Sequence, residues 1–454
     1  MNTSQQRNQQ ELDLKLEPDT RRDFSSEAFI ASSLSKSPAG QIRLLESILE
    51  RKNMQEALKR VLKNKGAPGV DGMTCRQLSA YLNRHWPKIH AAILDGTYVP
   101  LPARRKEIPK PDGGVRLLGI PSVLDRLIQQ AIAQVLTLIY DYTFSDGSHG
   151  FRPGRSQRSA LTQVRAHVAD GYRVVVDIDL SKFFDRVHHD RLLSRLAMRI
   201  EDKRVLRLIR RYLEAGVMVD GLVSATDEGT PQGGPLSPLL SNIVLDELDQ
   251  ELERRQLRFV RYADDCVIYV KSMTAGRRVM ASVSRFIAKK LRLEVNHEKS
   301  DVGRPWLRKY LGMCTLVTKQ APKLRIHWKS IQRFRERVRE LTCRTRGRSI
   351  QYVINELMAY INGWWNYYSI TESFNRLKPL AHWVRRRIRA VFWKQWKNRR
   401  TRVGELKKRG VTHEAALRAG CARKGPWRMS ATKWVHFALP DAYLKSLGLR
   451  FPWI

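Results

Sequence analysis

Two adjacent aspartates, Asp264 and Asp265, stand between Leu257-Arg258-Phe259-Val260 and Cys266-Val267-Ile268-Tyr269-Val270. Both flanking stretches read as strands, so the acids fall in a tight turn that ordinarily takes Asn-Gly or Asp-Gly. Carboxylates about 4 Å apart repel by about 4 kcal/mol at an effective dielectric near 20, and a divalent cation is one way to keep both ionised. An exposed acidic turn is the other reading of the pair taken alone. A second acidic focus lies upstream, where Val174-Val175-Val176 and Ile178 form an apolar run typical of a central strand, interrupted by Asp177 and Asp179 and followed by Asp185. An acid at the end of a buried strand is costly unless it is paired or bound to metal. Lys110 and Arg116 lie on opposite arms of a hairpin, Ile108 to Pro121, that turns at Asp112-Gly113-Gly114. They suit a triphosphate, or else form a solvated face.

Three glycine-rich loops accompany these charges. Asn64-Lys65-Gly66 opens a basic loop ending at Gly72, which either approaches a phosphate backbone or simply joins two helices. His149-Gly150-Phe151-Arg152-Pro153-Gly154-Arg155-Ser156 is a second basic turn, closed by Ser156 as a helix cap. Gly229 to Pro238 contains Gln232 and Gly233 and leads into a helix; its small residues let backbone and the Gln232 amide meet a planar ligand, or form an ordinary loop.

The elements that must position these residues follow from periodicity. Helices are predicted from Ile42, over Met54 to Leu62, Val123 to Ile139, Leu239 to Arg254 and Gly276 to Leu291, with a stripe at Ile350, Val353, Ile354, Leu357, Ile361 and Trp364. Residues 1–41 are polar and read as a mobile tail. Beyond Thr318 helices dominate, and from Arg385 to Arg400 eight Lys or Arg and no acid interleave with Phe392, Trp393 and Trp396. That pattern fits backbone and stacking contacts to nucleic acid through Arg385, Arg386, Arg387, Lys394, Lys397, Arg399 and Arg400, the alternative being a structural stripe with solvated charge. The last stretch is a small basic module containing Lys424-Gly425-Pro426-Trp427-Arg428.

The 454 residues are enough for roughly three domains. Lys and Arg number 83 against 44 Asp and Glu, a formal charge of +39 distributed along almost the whole chain, which implies an extended polyanionic partner such as nucleic acid. There is no apolar run long enough to span a membrane and no signal-peptide core, so the chain reads as cytoplasmic. Its 5 cysteines form no CxxC pair and are odd in number, which indicates buried free thiols rather than zinc or disulfides.

In this order, the loop at Asn64 to Gly72, the hairpin Ile108 to Pro121, Gly150 to Ser156, Asp177 to Asp185, Thr230 to Pro238, Tyr262 to Asp265 and Lys309 to Gly312 resemble the reverse transcriptases encoded by group II introns, which also act as maturases. The resemblance implies an α+β right-hand polymerase whose fingers and palm, with an antiparallel sheet, occupy 42–317. A helical thumb or maturase region would follow over 318–400, and a DNA-binding module over 401–454. It maps the catalytic acids onto Asp179, Asp264 and Asp265, holding two Mg²⁺ ions with the Leu180 carbonyl as a further ligand. Lys110, Arg116, Gln232 and Gly233 would bind the incoming dNTP, and Phe184 would sit against its sugar and reject a 2′-hydroxyl. Lys299 resembles the lysine that acts as general acid to pyrophosphate. Asn64, Lys65, Gly66, Arg152, Lys309, Leu311 and Gly312 would line the primer and template path. The partners implied are the intron RNA, an RNA template with a DNA primer, dNTPs and target DNA. Many family members carry an HNH nuclease after the DNA-binding module; the sparse His and Cys beyond Thr401 imply none here, so mobility would take its primer elsewhere. A non-catalytic splicing cofactor, a relative domesticated in phage defence or a CRISPR system, and an RNA-templated RNA polymerase are the competing readings.

Overall fold

Alternating apolar residues build the strands and 3.6-periodic stripes build the helices of a computed structural model that describes residues 43–109, 114–219, 222–224, 229, 233–345 and 347–454. The expected tail at 1–41, and with it Lys110 and Gln232, lies outside the described residues. Elements are numbered over the described residues. The chain forms two compact units that exchange segments: one runs to Ala160 and resumes over Val176–Val302, the other comprises Leu161–Val175 and Gly303–Ile454.

The first unit begins with helices α1 (Leu44–Leu49), α2 (Arg51–Asn64) and α3 (Cys75–Leu94). The Thr74 side chain and Gln77 cap α3 reciprocally. Strands β1 (Ala103–Pro109) and β2 (Val115–Ile120) then pair antiparallel with Ile108 opposite Arg116, which is the hairpin expected from the sequence. With β4 (Val217–Val219) and β5 (Leu222–Ser224) they form a sheet ordered β2-β1-β4-β5. Helix α4 (Val123–Tyr140) supplies much of the core, burying Leu127, Ile128, Ile132 and Leu136. Between α4 and β4 come α5 (Gln157–Ala169), which from Leu161 onward belongs to the second unit, then β3 (Val174–Ile178), a short 3-10 turn at Phe183–Asp185, α6 (His189–Ala197) and α7 (Lys203–Glu214).

A second sheet, ordered β6-β7-β3-β8, contains β6 (Arg258–Tyr262), β7 (Asp265–Val270) and β8 (Asp301–Gly303). The interior place of β3 agrees with its apolar run, and helix α8 (Ser237–Arg254) lies over this part of the unit. Helix α9 (Met273–Phe286) continues as a π turn to Leu291.

The second unit has the two-stranded sheet β9 (Met313–Leu316) and β10 (Lys323–Ile326). Three longer helices follow, α10 (Trp328–Leu341), α11 (Ile350–Tyr368) and α12 (Lys378–Gln395). Short helices then run α13 (Arg399–Lys408), α14 (His413–Gly420), α15 (Pro426–Met429), α16 (Lys433–Ala438) and α17 (Asp441–Ser446). Its centre is aromatic: the Phe334 ring lies 4.6 Å from Trp364, itself 5.6 Å from Trp453, whose indole N–H donates to the Leu377 carbonyl. Cys75, Cys266 and Cys314 are buried free thiols as expected, but Cys343 is half-exposed and Cys421 exposed. No helix among the described residues is long and apolar enough to cross a membrane.

Candidate active site

The Asp264–Asp265 hairpin is tighter than the sequence indicates. Tyr262 pairs with Asp265, so Asp265 is the first residue of β7 and the turn is Ala263-Asp264 alone. Ala263 stands at φ +58, a left-handed conformation that costs a residue with a Cβ about 1–2 kcal/mol. What holds it there is Arg261, whose side chain is fully buried. Arg261 forms a two-point ion pair with the equally buried Asp249 on α8, with bonds of 2.7 Å from Nε and 2.5 Å from Nη2. Its remaining donors reach Asn242 Oδ1 at 2.9 Å, Ser148 Oγ at 2.8 Å and the Ala263 carbonyl at 2.9 Å. Burial works against the Arg261 charge, yet the Asp249 carboxylate more than offsets it and keeps the guanidinium above its ordinary pKa.

Asn242 completes the clamp by donating from Nδ2 to the Gly150 carbonyl at 2.8 Å. A methyl group at Gly150 would collide with the Ala263 nitrogen, so the turn at Gly150 and the acidic hairpin lie backbone against backbone. Nearby, burial first and then the Asp249 charge lift the Asp246 carboxyl to about 6. Burial likewise pushes the Cys266 thiol upward, well away from any reactive thiolate.

β3 is the sheet neighbour of β7, and the charge of Asp177 reaches Cys266 and Tyr269. Asp179 directly follows β3, and Asp264 and Asp265 precede and open the neighbouring strand β7. The Asp179 N–H donates to Ser300 Oγ at 2.9 Å, and its carbonyl accepts from Asn296 N–H at 2.8 Å. That second bond, with Ser181 N–H to the Glu294 carbonyl at 2.8 Å, frames an antiparallel bridge in which Leu180 faces Val295 without bonding to it. The Leu180 carbonyl thus stays outside that ladder. Lys299 is exposed on the turn between Asn296 and Ser300, whose two ends grip the Asp179 backbone. Among the described residues no three His, Cys, Asp or Glu side chains converge into a closed metal cluster. The donors on offer are carboxylate and carbonyl oxygens, the set hard divalent cations take, and Mg²⁺ needs only one or two carboxylates when phosphates complete its shell.

Phe184 is half-buried, edge-on to the buried Phe183 ring at 5.2 Å. Gly229, at φ +99, packs on the backbone of Phe184 and Asp185, and Gly233, at φ +134, packs against the Gly119 carbonyl of β2. Gly229 thus lies against Phe184, and Gly233 against the strand that carries Arg116.

Other expected nucleic-acid contacts are placed differently. Arg152 is buried: it pairs with Asp141 at 2.8 Å and donates to the carbonyls of Asp141, Phe144, Ser145 and Ser148, so its charge fixes the turn and does not face a template. It holds the neighbouring Phe151 at φ +60 and 55% exposed. Asn64 ends α2 and Lys65 caps it in the left-handed region, both exposed, whereas Gly66 and Gly69 make room for Arg126 and the Ser122 backbone of their own chain. In the second unit Lys309 is exposed, and Leu311 and Gly312, both at positive φ, form a two-residue turn between Tyr310 and Met313. Tyr367 donates to the Leu311 carbonyl at 3.3 Å, and the Tyr368 hydroxyl closes over Gly312.

The cation and aromatic stripe of α12 is corrected most. Phe392, Trp393 and Trp396 are core residues, Trp393 with no exposed surface, and none can stack on a base. Arg385 pairs with Asp441 at 3.1 Å, Arg386 covers the Trp427 ring at 4.0 Å, and Arg387 donates to Thr342 Oγ1 at 2.6 Å. Their guanidiniums are bound into the unit; Lys394, Lys397, Arg399 and Arg400 are the exposed members of the run. Arg261, Asp249 and Asn242 were not singled out by the sequence. The available signal was Asn242, Asp246 and Asp249, which share one face of an otherwise apolar helix.

Acids at the end of one strand and the start of its sheet neighbour, with glycine loops packed near them, fit a templated nucleic-acid polymerase. Two family models match the chain: reverse transcriptase (RNA-dependent DNA polymerase) over residues 108–315, and group II intron, maturase-specific domain over residues 331–410. The chain belongs to the group II intron-encoded reverse transcriptases with a maturase domain. It is 36% identical over 300 residues to Protein YkfC of Escherichia coli, covering 57% of this chain and 79% of that protein. It is 37% identical over 220 residues to the group II intron-encoded protein LtrA of Lactococcus lactis, covering 48% of this chain but only 36% of LtrA. A chain of a partial Cas6-RT-Cas1–Cas2 complex aligns over 54% of this chain and 43% of its own length, with 24% identity and a TM-score of 0.34, a likeness too slight to weigh.

Proposed function

We propose that the chain copies RNA into DNA from a DNA primer, and that it binds its intron RNA to promote splicing and mobility inside the cell. The observation that supports this best is the sheet adjacency of β3 and β7, the strand that Asp179 follows and the strand that Asp265 opens. In this reading Asp179, Asp264, Asp265 and the Leu180 carbonyl hold two Mg²⁺ ions. Such ions, when bound, activate a primer 3′-hydroxyl and stabilise the departing pyrophosphate. The Arg261 clamp fixes Asp264 in place, and Lys299 gives a proton to pyrophosphate. Lys110, Arg116, Gln232 and Gly233 bind the dNTP phosphates and base, and the Phe184 ring excludes the 2′-hydroxyl. Asn64, Lys65, Gly66, Lys309, Leu311 and Gly312 line the primer and template path, with Arg152 acting through the turn it anchors. Fingers and palm then occupy 42–317, thumb or maturase helices 318–400, and a target-DNA module 401–454.

Primer extension on an RNA template with dNTPs and Mg²⁺ tests the reading. Wild type is expected to extend the primer and Asp264→Ala to give no product, while Phe184→Ala should incorporate ribonucleotides more readily. An Asp264→Ala variant as active as wild type would overturn the assignment, and an inactive wild type would point to a splicing cofactor without polymerase activity.

A further inference from the structure

The basic motif Lys424-Gly425-Pro426-Trp427-Arg428 has no part in the polymerase site. Its residues line a cavity of about 740 Å³ in the second unit, closed on another side by Arg344 from the segment after α10. Trp427 is half-buried there, and Arg386 of α12 lies over its ring at 4.0 Å while donating to the Trp427 carbonyl at 3.1 Å. Arg344, Arg423, Lys424 and Arg428 are exposed, none is ion-paired among the described residues, and no carboxylate lines the cavity. The field is uncompensated: burial first, then the positive charges of Arg344 and Arg339, push the nearby Arg387 guanidinium below its ordinary value.

We infer that this cavity takes one unpaired nucleotide of a single strand, its base against the Trp427 indole and its flanking phosphates on Arg344, Arg423, Lys424 and Arg428. An indole offers any base a stacking face, and a rim of cations with no acid selects a phosphate backbone over neutral or cationic ligands. The volume is large enough for a nucleoside. The inference deepens the proposed function by assigning a nucleic-acid subsite away from the catalytic acids. It concerns a flipped or unpaired residue of intron RNA or of target DNA, which share this chemistry.

The test uses the full chain and short oligonucleotides carrying 2-aminopurine, as single-stranded RNA, single-stranded DNA and blunt duplex, with primer extension run on the same preparations. Quenching of the probe is expected with single strands. Trp427→Ala should remove it and weaken Kd at least about fivefold, and Trp427→Phe should retain both. Arg423→Gln and Arg344→Gln should each reduce the salt slope of single-strand affinity by about 0.7. Tighter RNA binding assigns the site to intron or template RNA, tighter DNA binding to the target strand. Unchanged affinity and slope in all variants, an equal loss on duplex, or competition by poly-glutamate as effective as by the oligonucleotide would overturn the inference. Because the arginine variants leave the Arg386–Trp427 packing untouched, the result stands even if Trp427→Ala fails to fold. Failure of the polymerase reading would appear separately, as wild type without extension product.

Discussion

Asp249→Ala leaves the Arg261 guanidinium buried with no counter-charge, and the structure sets the expected cost. Both side chains are fully excluded from water and share three hydrogen bonds, and removing one partner from such a pair costs about 3–5 kcal/mol. At about 2–4 °C per kcal/mol for a unit of 150–250 residues, that lowers Tm by roughly 6–20 °C. Replacing both residues with apolar ones of similar volume, Arg261→Met with Asp249→Leu, removes the stranded charge and should return stability close to wild type. Activity should not return with it. Arg261 also donates to the Ala263 carbonyl in the left-handed turn that carries Asp264, and a displacement of about 1 Å at a reacting group costs on the order of 100-fold in rate. The assay is thermal melting beside single-turnover primer extension for the two single variants and the double. A double variant that recovers both Tm and kcat would show that the hairpin needs no tether from Arg261, and an Asp249→Ala variant that melts like wild type would show that the pair is solvated.

Gly150→Ala places a methyl group on the Ala263 nitrogen and is expected to lower extension at least about 100-fold. Gly154→Ala, where the added methyl meets nothing, should cost only the left-handed strain of about 1 kcal/mol by denaturant melting. The Asp246 carboxyl sits near 6, above its ordinary value, so the folded state keeps a proton that the unfolded chain releases between about pH 4 and 6. The associated stability is present below that window and lost as pH rises through 6. Asp246→Asn should therefore be about 1–3 kcal/mol more stable than wild type at pH 7.5 and equal to it near pH 4, measured by urea unfolding at both values. Trp393→Ala should cost about 3–5 kcal/mol in stability and leave the salt slope of RNA binding unchanged, the reverse of what a stacking platform would give.

The hairpin, the β3 acids and the helical stripe of α11 could be read from sequence because each is a local pattern: alternation, a charge in an apolar run, or a 3.6-residue period. The Arg385 to Arg400 stripe could not. Arginines whose stems pack and whose guanidiniums reach carbonyls and carboxylates have the same composition as arginines that bind phosphate. Only the partners separate them, Asp441 for Arg385 and Thr342 for Arg387, and these come from distant elements. Arg261 is the same case with the opposite outcome. Beside Tyr262 it reads as a surface cation, because its burial depends on Asp249 of a helix that must first dock on the sheet. The glycines of the Asn64 to Gly72 loop invited a ligand, but Gly66 and Gly69 are needed for close approach to Arg126 and Ser122.

Leu180 stands opposite Val295 with its carbonyl outside the bridge, and that oxygen belongs to the main chain. Every amino acid carries the same one. A side-chain scan of this chain would therefore score position 180 as one more buried leucine, sensitive to volume and indifferent to charge, whatever the oxygen does. Mutational maps are blind at such positions. Exposing the contribution takes a change to the backbone, such as an ester in place of the amide that follows Leu180, which weakens the carbonyl as a donor to a cation and leaves the side chain in its pocket, at the cost of the Ser181 N–H bond to the Glu294 carbonyl.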